Sequence, residues 1–281
     1  MVLLSVSLSG IFHEPVNAQT ARTQEPLPPI VKVPQEARLA KAYYNDGIRW
    51  LNAGRIDRAE IRFRESLSYD SLYIPSIERL ANILKQQGKA DSLSAAFKMR
   101  ADMDSLNPVY TYITAVLGDT AEAEQMFNWV IKLDSTFFWG HFGLGRYKLN
   151  RNDYAGAIEN LRTAVAVNPA YPDGQLTLGI AYEKSGDTTK ALRQYQKTLC
   201  ITPKAEPEAY LRIGFIYAER ADTTLCMDYL QKYLDIVKEG AGFERARAQV
   251  NSIQAAIDRA KLLEEQRKKE EALKKKKGGK G

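Results

Sequence analysis

Residues Leu178–Pro203, LGIAYEKSGDTTKALRQYQKTLCITP, decide the fold. Leu178, Gly179 and Tyr182 fall on one helical face. Gly186 then interrupts the pattern: a glycine just past a helix end suits the left-handed residue that closes it, and Asp187 can cap the next helix. Ala191, Tyr195 and Leu199 recur at four-residue spacing, again on one face, and Pro203 prevents continuation because it lacks an N–H. The stretch therefore reads as two antiparallel helices joined by a tight turn. Small residues at Gly179 and Ala191 let the two helices approach closely.

The same punctuation recurs outward in both directions. Gly179 has counterparts at Gly47, Ala81, Thr111, Gly145 and Gly214, at intervals of 34, 30, 34, 34 and 35 residues. The turn residue recurs as Gly54, Gly88, Gly118, Asn152 and Ala221, the last being a poor fit to a left-handed position. The pair Ala191/Tyr195 recurs as Ala59/Phe63, Ala123/Phe127 and Ala157/Leu161, and more weakly as Leu93/Phe97 and Cys226/Leu230. Asp70-Ser71, Asp104-Ser105, Asp134-Ser135, Asn168-Pro169 and Thr202-Pro203 close one unit and open the next.

On these residues the chain resembles the tetratricopeptide repeat family, whose 34-residue helix–turn–helix unit carries L-G-x2-Y, A-x3-F and a late proline. The resemblance covers roughly residues 34–238. It implies an all-α, right-handed superhelical solenoid of about six helix pairs, residues 35–240, in which each pair packs on its neighbours. The unit around Thr111 is four residues short and the sixth is degenerate. From Gly242 a further helix carries Phe243, Val250, Ile253, Ile257 and Ala260 on one side, suited to capping the solenoid over residues 241–263.

Outside the repeats the chain changes character. Met1–Phe12 is an apolar run too short to span a bilayer, which needs ~20 residues. Val16 and Ala18 behind it suit signal-peptidase cleavage, although the first basic residue is Arg22. Residues 1–18 are expected to be a signal peptide, with a mature start near Gln19 and an exported, periplasmic or envelope location; a non-signal extension of a cytoplasmic protein is the alternative. Residues 19–34, with Pro26, Pro28, Pro29 and Pro34, read as an extended linker. Of the +6 net charge, +5 resides in residues 261–281, with nine Lys/Arg against four Glu. Residues 264–281 are expected to be a disordered basic tail.

Chemistry is sparsely signalled. His13 and His141 stand far apart, and no second His or Cys lies at metal-ligand spacing. Cys200 and Cys226 fall on neighbouring helices, offset by roughly 13 Å at 1.5 Å per residue, too far for a disulfide; two buried free thiols are expected. Gly140, Gly143 and Gly145 read as helix-contact positions, since no strand precedes them to make a phosphate loop. The expectation is a protein without catalytic activity, cofactor or metal.

The resemblance further implies that the first helix of each pair lines a concave, ligand-facing surface. Its early positions are Tyr44, Ile48, Asn82, Tyr112, Trp139, Phe142, Arg146, Leu176, Ile180, Leu211 and Phe215, mostly apolar. Contiguous exposed apolar surface marks contact sites, and an aromatic near an arginine is a common hot-spot composition. These residues are expected to bind another polypeptide, an apolar helix or extended segment, anchored at Trp139, Phe142 and Arg146. The alternative is that several of them close the space between first helices or lie under the terminal helix. The lysine–asparagine clamp with which some family members hold a terminal carboxylate is missing, since Tyr44, Ile48, Glu78 and Asn82 stand there. A second functional reading is an adaptor whose basic tail contacts RNA or anionic surfaces.

Overall fold

The computed structural model describes residues 35–118, 122–204 and 206–278, all of whose regular structure is helical. The expected signal peptide and linker lie outside these residues. Six antiparallel pairs follow in order: α1 (Gln35–Asn52) with α2 (Ile56–Tyr69), α3 (Ile74–Gln86) with α4 (Asp91–Met103), α5 (Pro108–Leu117) with α6 (Ala123–Leu133), α7 (Phe138–Asn150) with α8 (Tyr154–Val167), α9 (Pro172–Lys184) with α10 (Thr188–Ile201), and α11 (Glu208–Glu219) with α12 (Thr223–Ile236). A terminal helix, α13 (Ala241–Gly278), packs on α12. Helices pack within five of the pairs, between consecutive pairs, and first helix to first helix along the series α3, α5, α7, α9, while α4 joins α3 through Leu93 and Phe97 in shared apolar clusters. This is the superhelical solenoid that the period dictates.

Each close approach rests on a small residue. A Cβ added to Gly179 would stand 2.5 Å from Tyr195 Cε1, and Gly145 and Gly214 face Leu161 and Leu230 at 2.6 and 2.5 Å. The packing partners Ala59, Phe63, Ala157, Leu161, Ala191, Tyr195, Cys226 and Leu230 are fully buried. Turn chemistry follows the sequence as well. Gly54, Gly88, Asn152, Gly186 and Ala221 all have positive φ, and Asp153, Asp187 and Asp222 cap the following helices by accepting the backbone N–H of Gly156, Lys190 and Leu225.

Three expectations are corrected. Gly118 has φ −71 and extended geometry rather than the left-handed one, at the end of the first helix of the shortened third pair, whose helices span 10 and 11 residues. Cys200 is exposed and only Cys226 is buried. The basic end is helical through Gly278 rather than disordered. Its Lys, Glu, Ala and Leu are strong helix formers, and the i,i+4 pairs Glu264–Lys268 and Arg267–Glu271 support it. Its apolar stripe ends early: Phe243, Ala246, Val250, Ile253 and Ile257 pack against α12, whereas Ala260 is exposed.

Candidate functional site

The concave face is built by the first helices, and its centre is ionic. Helix α3 (IPSIERLANILKQ) places Glu78 and Arg79 side by side in an otherwise apolar face. Glu78, 5% exposed, accepts hydrogen bonds from Tyr112 OH on α5 at 2.6 Å and from Arg146 Nη1 on α7 at 2.9 Å. Arg79 turns the other way, reaching Asp173 Oδ2 on α9 at 3.6 Å and Glu206 Oε1, just before α11, at 3.3 Å. Five charged groups from four places in the chain thus converge, three carboxylates around two guanidiniums.

Burial and pairing compete in this cluster. Burial pushes the Glu78 carboxyl up, against the pull of Arg146 and the Tyr112 hydroxyl. Burial likewise raises Glu206 to about 7, with Arg79 opposing and Asp173 and Glu208 adding to the rise. Burial works against the charge of Arg79, but Asp173 and Glu206 more than restore it, so its pKa rises. The Tyr112 phenol is pushed up by burial and by Glu78. Desolvation decides the direction for Glu78, Glu206 and Tyr112, whereas at Arg79 the neighbouring carboxylates together outweigh it.

Open space adjoins the cluster. A cavity of about 430 Å³ is lined by Arg79, Arg146, Asn150, Thr177, Ile180 and Lys184 among others. A smaller one of about 170 Å³, with Glu78, Asn82, Lys85 and Asn150 in its wall, shares Arg146 with it. The surroundings suit a polar chain, offering guanidinium, ammonium and amide donors rather than a greasy trough. Among the described residues, no three His, Cys, Asp or Glu side chains stand together as metal ligands.

The residues expected to line an apolar groove divide. Tyr112, Phe142 and Leu176 are buried, as is Ile48, and their side chains fill the space between successive first helices. Trp139 is half-buried and wedged among Tyr112, Phe138, Phe142 and Tyr171. Tyr44 is half-buried against Phe63 and Tyr73. Leu211 and Phe215 pack on the last apolar cluster, with the Arg245 guanidinium of α13 4.8 Å from the Phe215 ring centre. Asn82 is exposed, and Ile180 and Arg146 are half-buried beside the cavities. Arg146 lies 5.3 Å from the Phe142 ring centre, so that pairing is present but inside the wall. Phe142 thus lies inside the wall and Trp139 half-buried beside it, since a large ring on a first helix gains more by packing between neighbours than by facing water.

Sequence reading gave no role to Arg79, Asp173 or Glu206. Glu78 and Arg79 interrupt an apolar helical face, a usable signal. Asp173 reads as an ordinary acidic residue in a first turn, and Glu206 as a loop residue.

The TPR repeat family model matches residues 149–186. Comparison with curated proteins gives no match. Among solved structures, the fold is similar to the APC/C hetero-tetramer Cut9–Hcn1 (18% identity, 76% of this chain and 42% of that chain, TM-score 0.54). It is also similar to PilW, a type IV pilus biogenesis factor (12%, 74% and 98%, TM-score 0.51), and to PilF of Pseudomonas aeruginosa (16%, 76% and 99%, TM-score 0.50). At such identities the likeness concerns the fold.

Proposed function

We propose that this tetratricopeptide-repeat solenoid is a non-catalytic scaffold that binds another polypeptide on its concave face. The observation that carries the reading is the convergence of side chains from α3, α7 and α9 on the two cavities that share Arg146. Asn82, Lys85, Asn150 and Lys184 are exposed there, and amide and ammonium donors satisfy the backbone carbonyls and acidic side chains of an extended segment. Ile180 and the stem of Arg146 supply the apolar part of the contact. The partner segment is thus polar with few apolar anchors. Tyr44, Tyr112, Trp139, Phe142, Leu176, Leu211 and Phe215 shape the wall behind it.

The apolar run and small residues of 1–18 support an envelope location, tested by intact mass and fractionation of natively expressed protein. An uncleaved Met1 in a cytosolic fraction would reject it. The binding reading is tested by capture from the envelope fraction with the triple variant Asn82→Ala, Asn150→Ala, Lys184→Ala. These exposed side chains carry little stability, so loss of a specific partner with an unchanged melting curve is expected. Capture that survives this variant but is lost with Met103→Ser and Leu106→Ser, on exposed apolar positions outside the concave face, would move the interface there. A second reading has its own observation, the basic excess on distal α13: tail-dependent binding to RNA or anionic vesicles.

A further inference from the structure

The two ends of the solenoid meet. Asn52 Nδ2, at the end of α1, donates to Lys204 O, just past α10, at 3.5 Å. Gly54 lies against the Glu239 carboxylate, so close that an added Cβ would overlap it. Arg79 joins Glu206 across 127 residues of sequence. A cavity of about 280 Å³ runs along this seam, walled by Leu51 and Asn52 from one end and by Glu206, Leu211, Tyr233 and Glu239 from the other.

The seam differs in kind from every other junction. Consecutive pairs are joined by helix packing over buried apolar side chains. The apolar clusters at the two ends, around Ile48/Phe63 and around Leu230/Tyr233, share no residue. What crosses between them is polar. Polar contacts reachable by water contribute little net stability, and buried ion pairs give back much of their attraction as desolvation. Separating the ends therefore divides neither apolar cluster, although Leu51, Leu211, Tyr233 and Val237 gain exposure at the seam, and the required rotation can be spread as small changes over the junctions between pairs. Arg79 stands at the critical place, because it lines both the seam cavity and the 430 Å³ concave cavity. Breaking its bond to Glu206 joins the two spaces.

We propose that the first two and the last two helix pairs form an openable clasp, closed by Arg79 of α3 against Asp173 of α9 and Glu206 before α11, and that this seam admits a polypeptide to the concave face. The clasp is independent of any ligand; only its purpose rests on the binding reading above. In the full chain with Cys200→Ser, labels at Asp57→Cys and Lys238→Cys, both exposed beside the seam, report its width by pulsed electron–electron spin resonance. The unaltered clasp should give one short distance. Glu206→Lys sets two cations face to face and should shift a large fraction to distances longer by ~10 Å, a helix diameter. Amide exchange should quicken at the α1–α2 turn and not at the α7–α8 turn. The charge swap Arg79→Glu with Glu206→Lys, made together with Asp173→Asn because Asp173 also faces position 79, should restore the short distance. Should Glu206→Lys lose its helical signal, Glu206→Gln serves instead, with a partial shift expected. A folded variant that keeps the short distance, or a swap that fails to restore it, overturns the clasp. If the clasp opens as expected while the concave triple variant leaves capture intact, the binding reading falls and the clasp stands.

Discussion

Replacing Gly179 by alanine tests how closely the repeat packs. The new methyl would meet Tyr195 at 2.5 Å (Cε1), 2.7 Å (Cδ1) and 3.2 Å (Cζ). The ring cannot retreat freely: Tyr195 is fully buried, and its hydroxyl donates to Glu183, which also accepts from Arg212 Nη1 at 3.1 Å. Overpacking of this kind costs ~1–3 kcal/mol, while alanine gains ~0.5–1 kcal/mol over glycine in a helix interior. A net loss of about 0.5–2 kcal/mol is expected, read by urea unfolding followed at 222 nm with unchanged slope. Tyr195→Ala alone should cost ~3–5 kcal/mol through its cavity. In that background the Gly179 change should turn neutral or stabilising, a coupling of roughly 1–3 kcal/mol. Gly186→Ala is the control: its φ of +89 penalises alanine although nothing stands within 4 Å of the added Cβ, so its cost should not depend on Tyr195. A neutral Gly179→Ala, or a penalty that persists without the Tyr195 ring, would refute the close-contact argument.

Ala221 holds φ 57, where a Cβ costs ~1–2 kcal/mol; Ala221→Gly should raise stability by a few tenths to ~1 kcal/mol in thermal unfolding, after the added unfolded-state freedom is subtracted. Arg146→Ala strands Glu78 in the core and should cost about 3 kcal/mol, whereas Glu78→Leu with Arg146→Met should recover most of it in the same assay. Glu206 has its folded pKa raised from 4.5 to about 7, so the folded state binds the extra proton. Its contribution is fully present below about pH 4.5 and is lost as pH rises through about 7. Relative to Glu206→Gln, the parent should therefore lose roughly 1–3 kcal/mol between those limits, and parallel curves in denaturation at stepped pH would exclude the assignment. Deleting residues 261–281 should leave the melting curve unchanged, since the side chains described beyond Ile257 are exposed, and should abolish any nucleic-acid shift seen at ~150 mM salt.

The sequence by itself determined the helix pairs, their close contacts and the turns at Gly54, Gly88, Asn152, Gly186 and Ala221, though not the one expected at Gly118. Gly179 against Tyr195 and Asp187 on Lys190 N–H are interactions within one repeat, and a periodic pattern reports every group that must pack or cap inside its own period. The helical continuation of α13 was decided by Lys–Glu pairing and propensity against the repulsion of consecutive lysines, a balance that composition alone did not settle. Only the tertiary structure decided which side chains of the first helices line the concave cavities and which are buried between neighbours. Small rotations between successive pairs, together with the shortened third pair, accumulate until α3 meets α9 and the segment before α11. That curvature brings Arg79 to Glu206 across 127 residues and Glu78 to Arg146 across 68, and folds Tyr112 and Phe142 into the wall. No local pattern encodes it, because each junction contributes only a small angle and the contacts exist only in their sum.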